Sequence, residues 1–272
     1  MSSTLIIIPA RLASSRFPAK PLAPLVGADG IARPALHYTW QAGLTAAREI
    51  DGNARCIVAT DDERIAALCH AEDMAVVMTP EACANGTERC AAALEALGEK
   101  PDLVVNLQGD APLTPAAFVA AVGTLIEANP SLAMATVAVP ASPAVLAHLQ
   151  SDAAAGRVGG TTVVRSSTGR ALYFSKSIVP HVTPGTVPRE NVLLHLGLYA
   201  YRPAALEDYA SHGPVPLELQ EGLEQLRFLD AGLPVGVAVC EAPAWEMIEL
   251  NNPTDVPLIE AELARRAGLE PA

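Results

Sequence analysis

Positive charge is scarce in this sequence: 18 lysines and arginines face 30 aspartates and glutamates, a formal net charge of −12 over 272 residues. A sequence-independent nucleic-acid binder needs a basic face for its phosphate contacts, so we expect no nucleic-acid partner. Long hydrophobic runs are missing too, since none approaches the roughly 18 residues of a membrane span. The N-terminus has no basic region before its short apolar run. We therefore expect a cytoplasmic protein without a membrane partner.

Cysteine is also sparse, and several short motifs are absent. The five cysteines are odd in number and include no CxxC pair, so we expect neither a disulfide framework nor a zinc cluster. The sequence contains no GxxxxGK[ST], GxGxxG, HExxH or GxSxG motif. These absences argue against a P-loop ATPase, a standard Rossmann dehydrogenase, a zincin and an α/β-hydrolase.

What the chain does contain is an alternation of apolar runs and amphipathic stretches. The apolar runs predict buried strands at 5–10, 55–59, 74–78, 103–107 and 133–139. Helices are predicted between them, over 34–49, 61–70, 85–97 and 115–128. After residue 140 we predict strands at 161–165, 171–174, 196–201 and 234–240, and helices over 217–231 and 254–266. The fold class is therefore α/β, with a mostly parallel sheet flanked by helices.

One loop concentrates positive charge directly after the first strand. Arg11, Arg16 and Lys20 lie within ten residues, with small residues between them. Ligands of open α/β sheets bind beyond the carboxyl ends of the strands, and a polyphosphate would account for such a cluster in an acidic chain. The alternative is a solvated loop whose cations pair with surface acids.

A second polar stretch follows the strand at 103–107. Gly109 allows a sharp turn, and Asp110 brings a hard oxygen ligand to the same sheet edge. One carboxylate with phosphate oxygens is a usual Mg²⁺ arrangement, whereas an ordinary Gly-Asp turn is the alternative. Residues 86–89 open a helix whose N–H groups could receive an anion, or could simply form a capping box with Asn85.

Two further features have a structural and a functional interpretation. His195 and Tyr199 are four residues apart on a predicted strand, so they share a face and could contact a ligand. A lone strand histidine is, however, more often structural. The acidic segment 218–227 has the pattern of a solvated helix face.

Taken together, the motifs carry a family resemblance. The following segments occur in this order: PARLASSRFPAKPL, VATDDERI, NGTER, NLQGDAP, MATVAVP, ALYFSKSIVP, HLGLYAYR and PLELQEGLEQLR. Over almost the whole chain they resemble the CMP-Kdo synthetases, or 3-deoxy-manno-octulosonate cytidylyltransferases. The resemblance implies a nucleotide-diphospho-sugar transferase fold, CTP as donor, Mg²⁺ as cofactor and a homodimer. The change of pattern after residue 140 predicts a single α/β domain with a subregion inserted at 141–215, between a first half at 1–140 and a closing segment at 216–272. The resemblance implies that the first half binds the nucleotide and that the insert serves the acceptor and the dimer.

The resemblance also assigns roles to individual residues. The triphosphate and nucleotide would be bound by Ala10, Arg11, Ser14, Arg16, Lys20, Gly86, Thr87, Arg89 and Gln108. Catalysis would depend on Arg16, Lys20 and Asp110, without a covalent intermediate. Mg²⁺ would be held by Asp110 and, at the position of a second family aspartate, by Asn251. The acceptor would contact Gln108, His195, Tyr199, Glu224 and Gln225.

Four positions depart from the family pattern, mainly on the metal and acceptor side. Ala111 replaces a glutamate, Thr162 a lysine, Leu194 an arginine and Asn251 an aspartate. A small, strongly anionic acceptor that chelates the metal itself would compensate for the missing carboxylate, so phosphonoformate is the first expectation. The alternatives are Kdo, a nonulosonic acid such as sialic acid, and a nucleotide-binding regulator without turnover.

Overall fold

The computed structural model of the chain describes residues 3–14, 17–50, 53–182 and 192–268. The chain forms two compact units, one of residues 1–120 with 243–272 and one of residues 121–242. Among the described residues, no helix combines the length and the apolar character that crossing a membrane requires.

The first unit is built on a parallel sheet. Its strands lie in the order β6 (Leu103–Leu107), β1 (Ser3–Ala10), β4 (Asn53–Thr60) and β5 (Val76–Met78). The apolar centre of β1 and all of β6 are buried, as expected for strands covered on both faces. The strands predicted in this half are therefore confirmed, with small differences at their ends.

Helices alternate with these strands as predicted. They are α1 (Ala35–Glu49), α2 (Glu63–Ala71), α3 (Gly86–Leu97) and α4 (Ala116–Ala128), the last of which runs past the end of the first unit. Helix α1 packs on β1 and β4, and α3 packs on β1 and β5. Between β1 and α1 lies a short antiparallel hairpin that the sequence did not predict, β2 (Pro24–Val26) with β3 (Ala32–Pro34).

The C-terminal segment belongs to the first unit. A 3₁₀ turn, Pro253–Asp255, leads into α9 (Val256–Ala267). Leu250 and Ile259 are fully buried in one apolar cluster with Leu25 and Leu113. Trp245 joins this cluster and donates its ring N–H to the Leu113 carbonyl at 2.9 Å. Segments near the two ends of the first unit's sequence, around Leu25 and Ile259, thus share one core.

The second unit has a mixed sheet. Strand β7 (Met134–Pro140) lies between β11 (Val235–Val239), which is parallel to it, and β10 (Leu193–Tyr201), which is antiparallel. Strands β8 (Thr161–Arg165) and β9 (Ala171–Ser175) form an antiparallel hairpin, and β8 pairs with the start of β10. Both units therefore combine strands with helices, and the α/β fold class is confirmed.

The helices of the second unit differ most from the prediction. Two were not predicted, α5 (Pro143–Ala154) and α6 (Pro203–Ser211). The single helix predicted over 217–231 is wrong, because the segment forms α7 (Pro216–Glu221) and α8 (Leu226–Asp230). Gly222 ends α7 with φ of +62°, a left-handed conformation that glycine adopts without strain.

The solvated-face interpretation of 218–227 is also wrong for two of its charged residues. The carboxylate of Glu218 and the guanidinium of Arg227 are both buried. They form two hydrogen bonds of 2.7 Å, and the guanidinium also stacks 3.8 Å from the centre of the Tyr209 ring. The break at Gly222 allows this pairing, which makes the segment part of the unit's interior.

Candidate active site

A cleft of about 260 Å³ opens in the first unit, beyond the carboxyl ends of β1 and β6. It lies where ligands of parallel α/β sheets bind. Seven residues predicted from the sequence line it: Ala10, Arg11, Lys20, Gly86, Arg89, Gln108 and Asp110.

The floor of the cleft depends on Gly109. A Cβ atom at this position would lie 2.5 Å from the carbonyl oxygen of Pro9, far inside van der Waals contact. The buried hydroxyl of Thr39 donates to the Gly109 carbonyl at 3.2 Å. The missing side chain thus lets the ends of β1 and β6 approach each other, which brings the loops after both strands to one cleft.

The most prominent contact in the cleft joins the two predicted loops. The Lys20 ammonium forms an ion pair with the Asp110 carboxylate. The two side chains are only 15% and 22% exposed, so water screens the pair incompletely. Lys20 begins a 3₁₀ turn after Ala19, whose N–H donates to the Leu12 carbonyl at 3.0 Å. The loop after β1 is therefore folded back so that its lysine faces the loop after β6.

The other predicted residues of this loop have different positions. Arg11 is exposed at the edge of the cleft. Ser14 accepts a hydrogen bond from the Phe17 N–H at 3.4 Å and does not line the cleft. Arg16 lies outside the described residues.

Helix α3 presents its N-terminus to the cleft. The Asn85 side chain accepts from the Glu88 N–H at 2.8 Å, which confirms the predicted cap. Glu88 in turn accepts from the Ala84 N–H at 2.8 Å. A Cβ on Gly86 would lie 3.0 Å from the Gln108 amide, so Gly86 brings the helix close to that side chain.

Arg89 is almost completely buried, with 2% of its surface exposed. Its guanidinium donates to Asp61 at 2.8 Å and to Thr79 at 2.7 Å. The contact with Asp61 is a buried ion pair, so the two charges neutralise each other, and the contacts fix α3 at the back of the cleft. Thr87 is fully buried in α3 and does not line the cleft.

The two predicted metal-binding residues lie on connected segments. The N–H of Leu250 donates to the Asp110 carbonyl at 2.8 Å, and Asn251 follows directly. The Asn251 amide donates to Glu249 at 3.2 Å, and its backbone N–H donates to Asp255 at 2.8 Å. No group of three or more acidic, histidine or cysteine side chains suited to a metal occurs among the residues described. A single carboxylate beside an open cleft is compatible with Mg²⁺, which usually keeps several waters or other oxygen ligands.

Three of the predicted acceptor-binding residues lie close together in the second unit. The rings of His195 and Tyr199 are 5.7 Å apart, and the Tyr199 hydroxyl donates to the Gln225 carbonyl oxygen at 3.3 Å. A bulge in β10 between Leu196 and Tyr199 shifts the pairing with β7, yet the two rings remain on one face. Glu224 precedes Gln225 and is partly exposed.

His195 is in an uncharged environment. Burial lowers the pKa of its imidazole to about 3, because little water is left to solvate the charged form. The edge of the Phe174 ring packs against it, with ring centres 5.0 Å apart. At neutral pH the ring is therefore neutral, and it can recognise a ligand only through hydrogen bonds.

Comparison with known proteins assigns the family. A family model described as Cytidylyltransferase matches residues 5–235, most of the chain. The chain belongs to the cytidylyltransferase family.

Its relatives are more specific in name. The cytidylyltransferase is 39% identical over 269 residues to a 3-deoxy-manno-octulosonate cytidylyltransferase of Maricaulis maris, covering 98% of this chain and 99% of the relative. It is 38% identical to one of Myxococcus xanthus, covering 97% and 98%. It is 36% identical to one of Arabidopsis thaliana named as mitochondrial, covering 96% and 83%. The resemblance to CMP-Kdo synthetases seen in the motifs is thereby confirmed.

A solved structure agrees with the sequence comparisons. CMP:2-keto-3-deoxy-manno-octonic acid synthetase complexed with CTP superimposes with a TM-score of 0.82 at 29% identity. The alignment covers 97% of this chain and all of that one. The fold is therefore that of a nucleotide-sugar transferase, and the enzyme is a CTP-dependent nucleotidyltransferase.

Sequence analysis missed several residues that line the cytidylyltransferase cleft. Cys83 and Ala84 directly precede the predicted helix, Asn85 was predicted only as its cap, and Pro21 follows Lys20. Burial raises the pKa of the Cys83 thiol, which keeps it protonated at neutral pH. Their position beside predicted residues was the available signal, but neither charge nor periodicity distinguishes them.

Proposed function

We propose that this cytidylyltransferase transfers CMP from CTP to 3-deoxy-manno-octulosonate (Kdo) and releases pyrophosphate. The observation that carries the proposal is the identity of 35–39% to several relatives of that name, over 87–98% of this chain. The first expectation, phosphonoformate as acceptor, has no support from the comparisons, and the alternative is preferred.

The triphosphate is proposed to bind in the cleft of the first unit. Arg11 and Lys20 would neutralise phosphate charge directly, and Arg89, held by Asp61, would fix the start of α3 beside the nucleotide. Ala10, Gly86 and Gln108, which line the cleft, complete the proposed nucleotide site. Arg16 is proposed to join them on the family resemblance alone. Nucleotide binding is proposed to draw the Lys20 ammonium away from Asp110 and towards a phosphate, which would open the ion pair.

Magnesium is the proposed cofactor. Asp110 would be its one carboxylate ligand from the cleft, and the Asn251 amide oxygen would be a neutral second ligand. When bound, Mg²⁺ would offset negative charge on the phosphates. Release of Asp110 by Lys20 would make the carboxylate available to the cation.

The proposed reaction is an in-line displacement. An oxygen of an acceptor hydroxyl forms a bond to the α-phosphorus of CTP, while the bond from this phosphorus to the bridging oxygen breaks. Pyrophosphate leaves with that oxygen, and the hydroxyl proton passes to solvent water. The protein supplies positioning and positive charge rather than a nucleophile, and Lys20 and Arg16 would stabilise the leaving group.

The acceptor is proposed to contact His195, Tyr199, Glu224 and Gln225. His195, Tyr199 and Gln225 are supported by the cluster of buried side chains described above, which offers neutral hydrogen-bonding groups. Glu224 is supported only by its position next to Gln225. We further propose that the enzyme works as a cytoplasmic homodimer. Leu172 on β9 is 61% exposed, an apolar position that a partner subunit could cover.

An acceptor screen tests the proposal. The protein is incubated with CTP and Mg²⁺ and with Kdo, sialic acid or phosphonoformate, and products are detected by mass spectrometry. CMP-Kdo together with pyrophosphate is expected. Another CMP conjugate in its place would overturn the acceptor, and no pyrophosphate with any acceptor would favour a binding protein without turnover.

A further inference from the structure

Thr136 on β7 is the partner of His195 in the second unit. It is fully buried and lies opposite Tyr199 in the strand pairing, where β10 bulges. Its hydroxyl oxygen is 2.8 Å from the Leu198 carbonyl oxygen and 3.0 Å from His195 Nε2. The Leu196 carbonyl oxygen is the third atom near the Thr136 hydroxyl oxygen, at 3.3 Å. The Thr136 hydroxyl is thus within hydrogen-bonding distance of both the backbone of the bulge and the imidazole ring.

The hydrogen atoms available decide how these contacts form. A threonine hydroxyl has one hydrogen to donate, whereas carbonyl oxygens only accept. The shortest contact gives that hydrogen to the Leu198 carbonyl. The Thr136 oxygen then has only lone pairs for His195, so Nε2 must carry the hydrogen and donate it. In a neutral ring the other nitrogen, Nδ1, is left with a lone pair.

Nδ1 has no hydrogen-bond partner among the described residues, since the hydrogen bond to Thr136 involves Nε2 and the other contacts of the ring are aromatic. We propose that Thr136 is a positioning residue that holds His195 as the Nε2–H tautomer, so that Nδ1 accepts a hydrogen bond from a hydroxyl of the acceptor substrate. The part that concerns the substrate rests on the proposed function.

The surroundings of the ring support a hydroxyl rather than an anion as the ligand group. Burial lowers the pKa of His195 to about 3, so the ring offers no positive charge at neutral pH. Beyond Tyr199, the Gln225 amide nitrogen is buried and has no partner within the described part of the chain. A lone pair at His195 and a donor at Gln225 are matched by hydroxyls, which both donate and accept.

Phosphonoformate fits this pattern poorly. Its carboxylate and phosphonate oxygens are largely ionised at neutral pH and accept hydrogen bonds without donating them. Such an oxygen facing Nδ1 would place two lone pairs against each other. A polyhydroxylated acid such as Kdo has hydroxyl donors for Nδ1, and Thr136 would therefore contribute to acceptor choice.

Nitrogen NMR on the ligand-free protein with ¹⁵N-labelled histidine tests the tautomer without any substrate. Wild type is expected to show protonated Nε2 and unprotonated Nδ1 for His195, assigned by comparison with His195→Gln. Thr136→Ser should keep this pattern, and Thr136→Val should lose it to a mixture. Thr162→Val is the matched control, because it removes a buried hydroxyl that donates to the Ser177 carbonyl at 2.7 Å and forms no hydrogen bond with His195. A wild-type ring protonated at Nδ1 would overturn the proposal even if Thr136→Val fails to fold.

Steady-state kinetics test the consequence for the substrate. In Thr136→Val we expect KM for Kdo to rise about 10-fold, the scale of one neutral hydrogen bond, with KM for CTP unchanged. Thr136→Ser should restore the wild-type value. Equal increases in both KM values, or no rescue by serine, would make Thr136 merely structural. If wild type does not use Kdo at all, the proposed function fails while the NMR result still decides the tautomer.

Discussion

Replacing Lys20 by methionine should change metal binding and turnover in opposite directions. In the ligand-free protein the Lys20 ammonium neutralises Asp110, the proposed carboxylate ligand of Mg²⁺. A cation that binds Asp110 must therefore displace an internal one. Methionine keeps much of the side-chain length but removes the charge, so Asp110 becomes free to bind the metal.

The size of the effect follows from the burial of the pair. At an effective dielectric constant of about 20, unit charges about 4 Å apart attract by about 4 kcal/mol. Desolvation and lost side-chain freedom offset much of this, and side chains 15% and 22% exposed leave a net of about 1–2 kcal/mol. That corresponds to a roughly 5- to 30-fold gain in metal affinity. Turnover should fall by roughly 100-fold, since one preorganised charge at the leaving group is lost.

Titration with Mn²⁺, followed by electron paramagnetic resonance without nucleotide, measures the metal affinity directly. Lys100→Met removes an exposed lysine outside the cleft and should match wild type. Asp110→Asn should abolish turnover and Mn²⁺ binding, so that the signal of free Mn²⁺ stays at full intensity. An unchanged or weaker Mn²⁺ affinity in Lys20→Met would refute the competition between lysine and metal.

Three further predictions concern other parts of the molecule. Gly109→Ala would place a Cβ 2.5 Å from the Pro9 carbonyl and should cost about 1–3 kcal/mol of stability and weaken CTP binding, whereas Gly213→Ala, which meets no atom within 4 Å, should leave melting temperature and CTP titration unchanged. Because the pKa of His195 is about 3 when folded and about 6.5 when unfolded, only the unfolded state takes up a proton between these values. Stability should thus fall by about 2 kcal/mol from pH 7 to pH 5 in urea unfolding, a loss that His195→Gln lacks. Asn251→Asp should raise Mn²⁺ affinity if the side chain faces the metal; identical titrations for variant and wild type would remove Asn251 from the site.

The parallel sheet could be predicted because its signal is local. Strands β1 and β6 are continuous apolar runs. Such a run indicates a buried strand whichever other elements pack against it. The helix over 217–231 was mispredicted because its charges look amphipathic, while Gly222 adopts a left-handed conformation and Glu218 pairs with Arg227 inside the unit. A side-chain pairing that depends on the tertiary fold produces no hydrophobic periodicity in the sequence.

In the candidate active site, too, some features could be predicted from local sequence and others could not. The charge cluster of the first loop predicted the position of Lys20, since cations are conspicuous in an acidic chain. The burial of Arg89 could not be predicted from the sequence, because its partners Asp61 and Thr79 lie 28 and 10 residues away along the chain. The contact of Thr136 with His195 was likewise hidden, because it depends on a bulge that strand alternation does not reveal.

The enzyme is proposed to make CMP-Kdo. The most direct measurement is kcat/KM for Kdo and for phosphonoformate, each with saturating CTP and Mg²⁺, scored by mass spectrometry of the CMP conjugate and by pyrophosphate release. We expect CMP-Kdo and pyrophosphate in equal amounts, with little or no CMP conjugate of phosphonoformate. A higher kcat/KM for phosphonoformate, or no conjugate with Kdo, would contradict it.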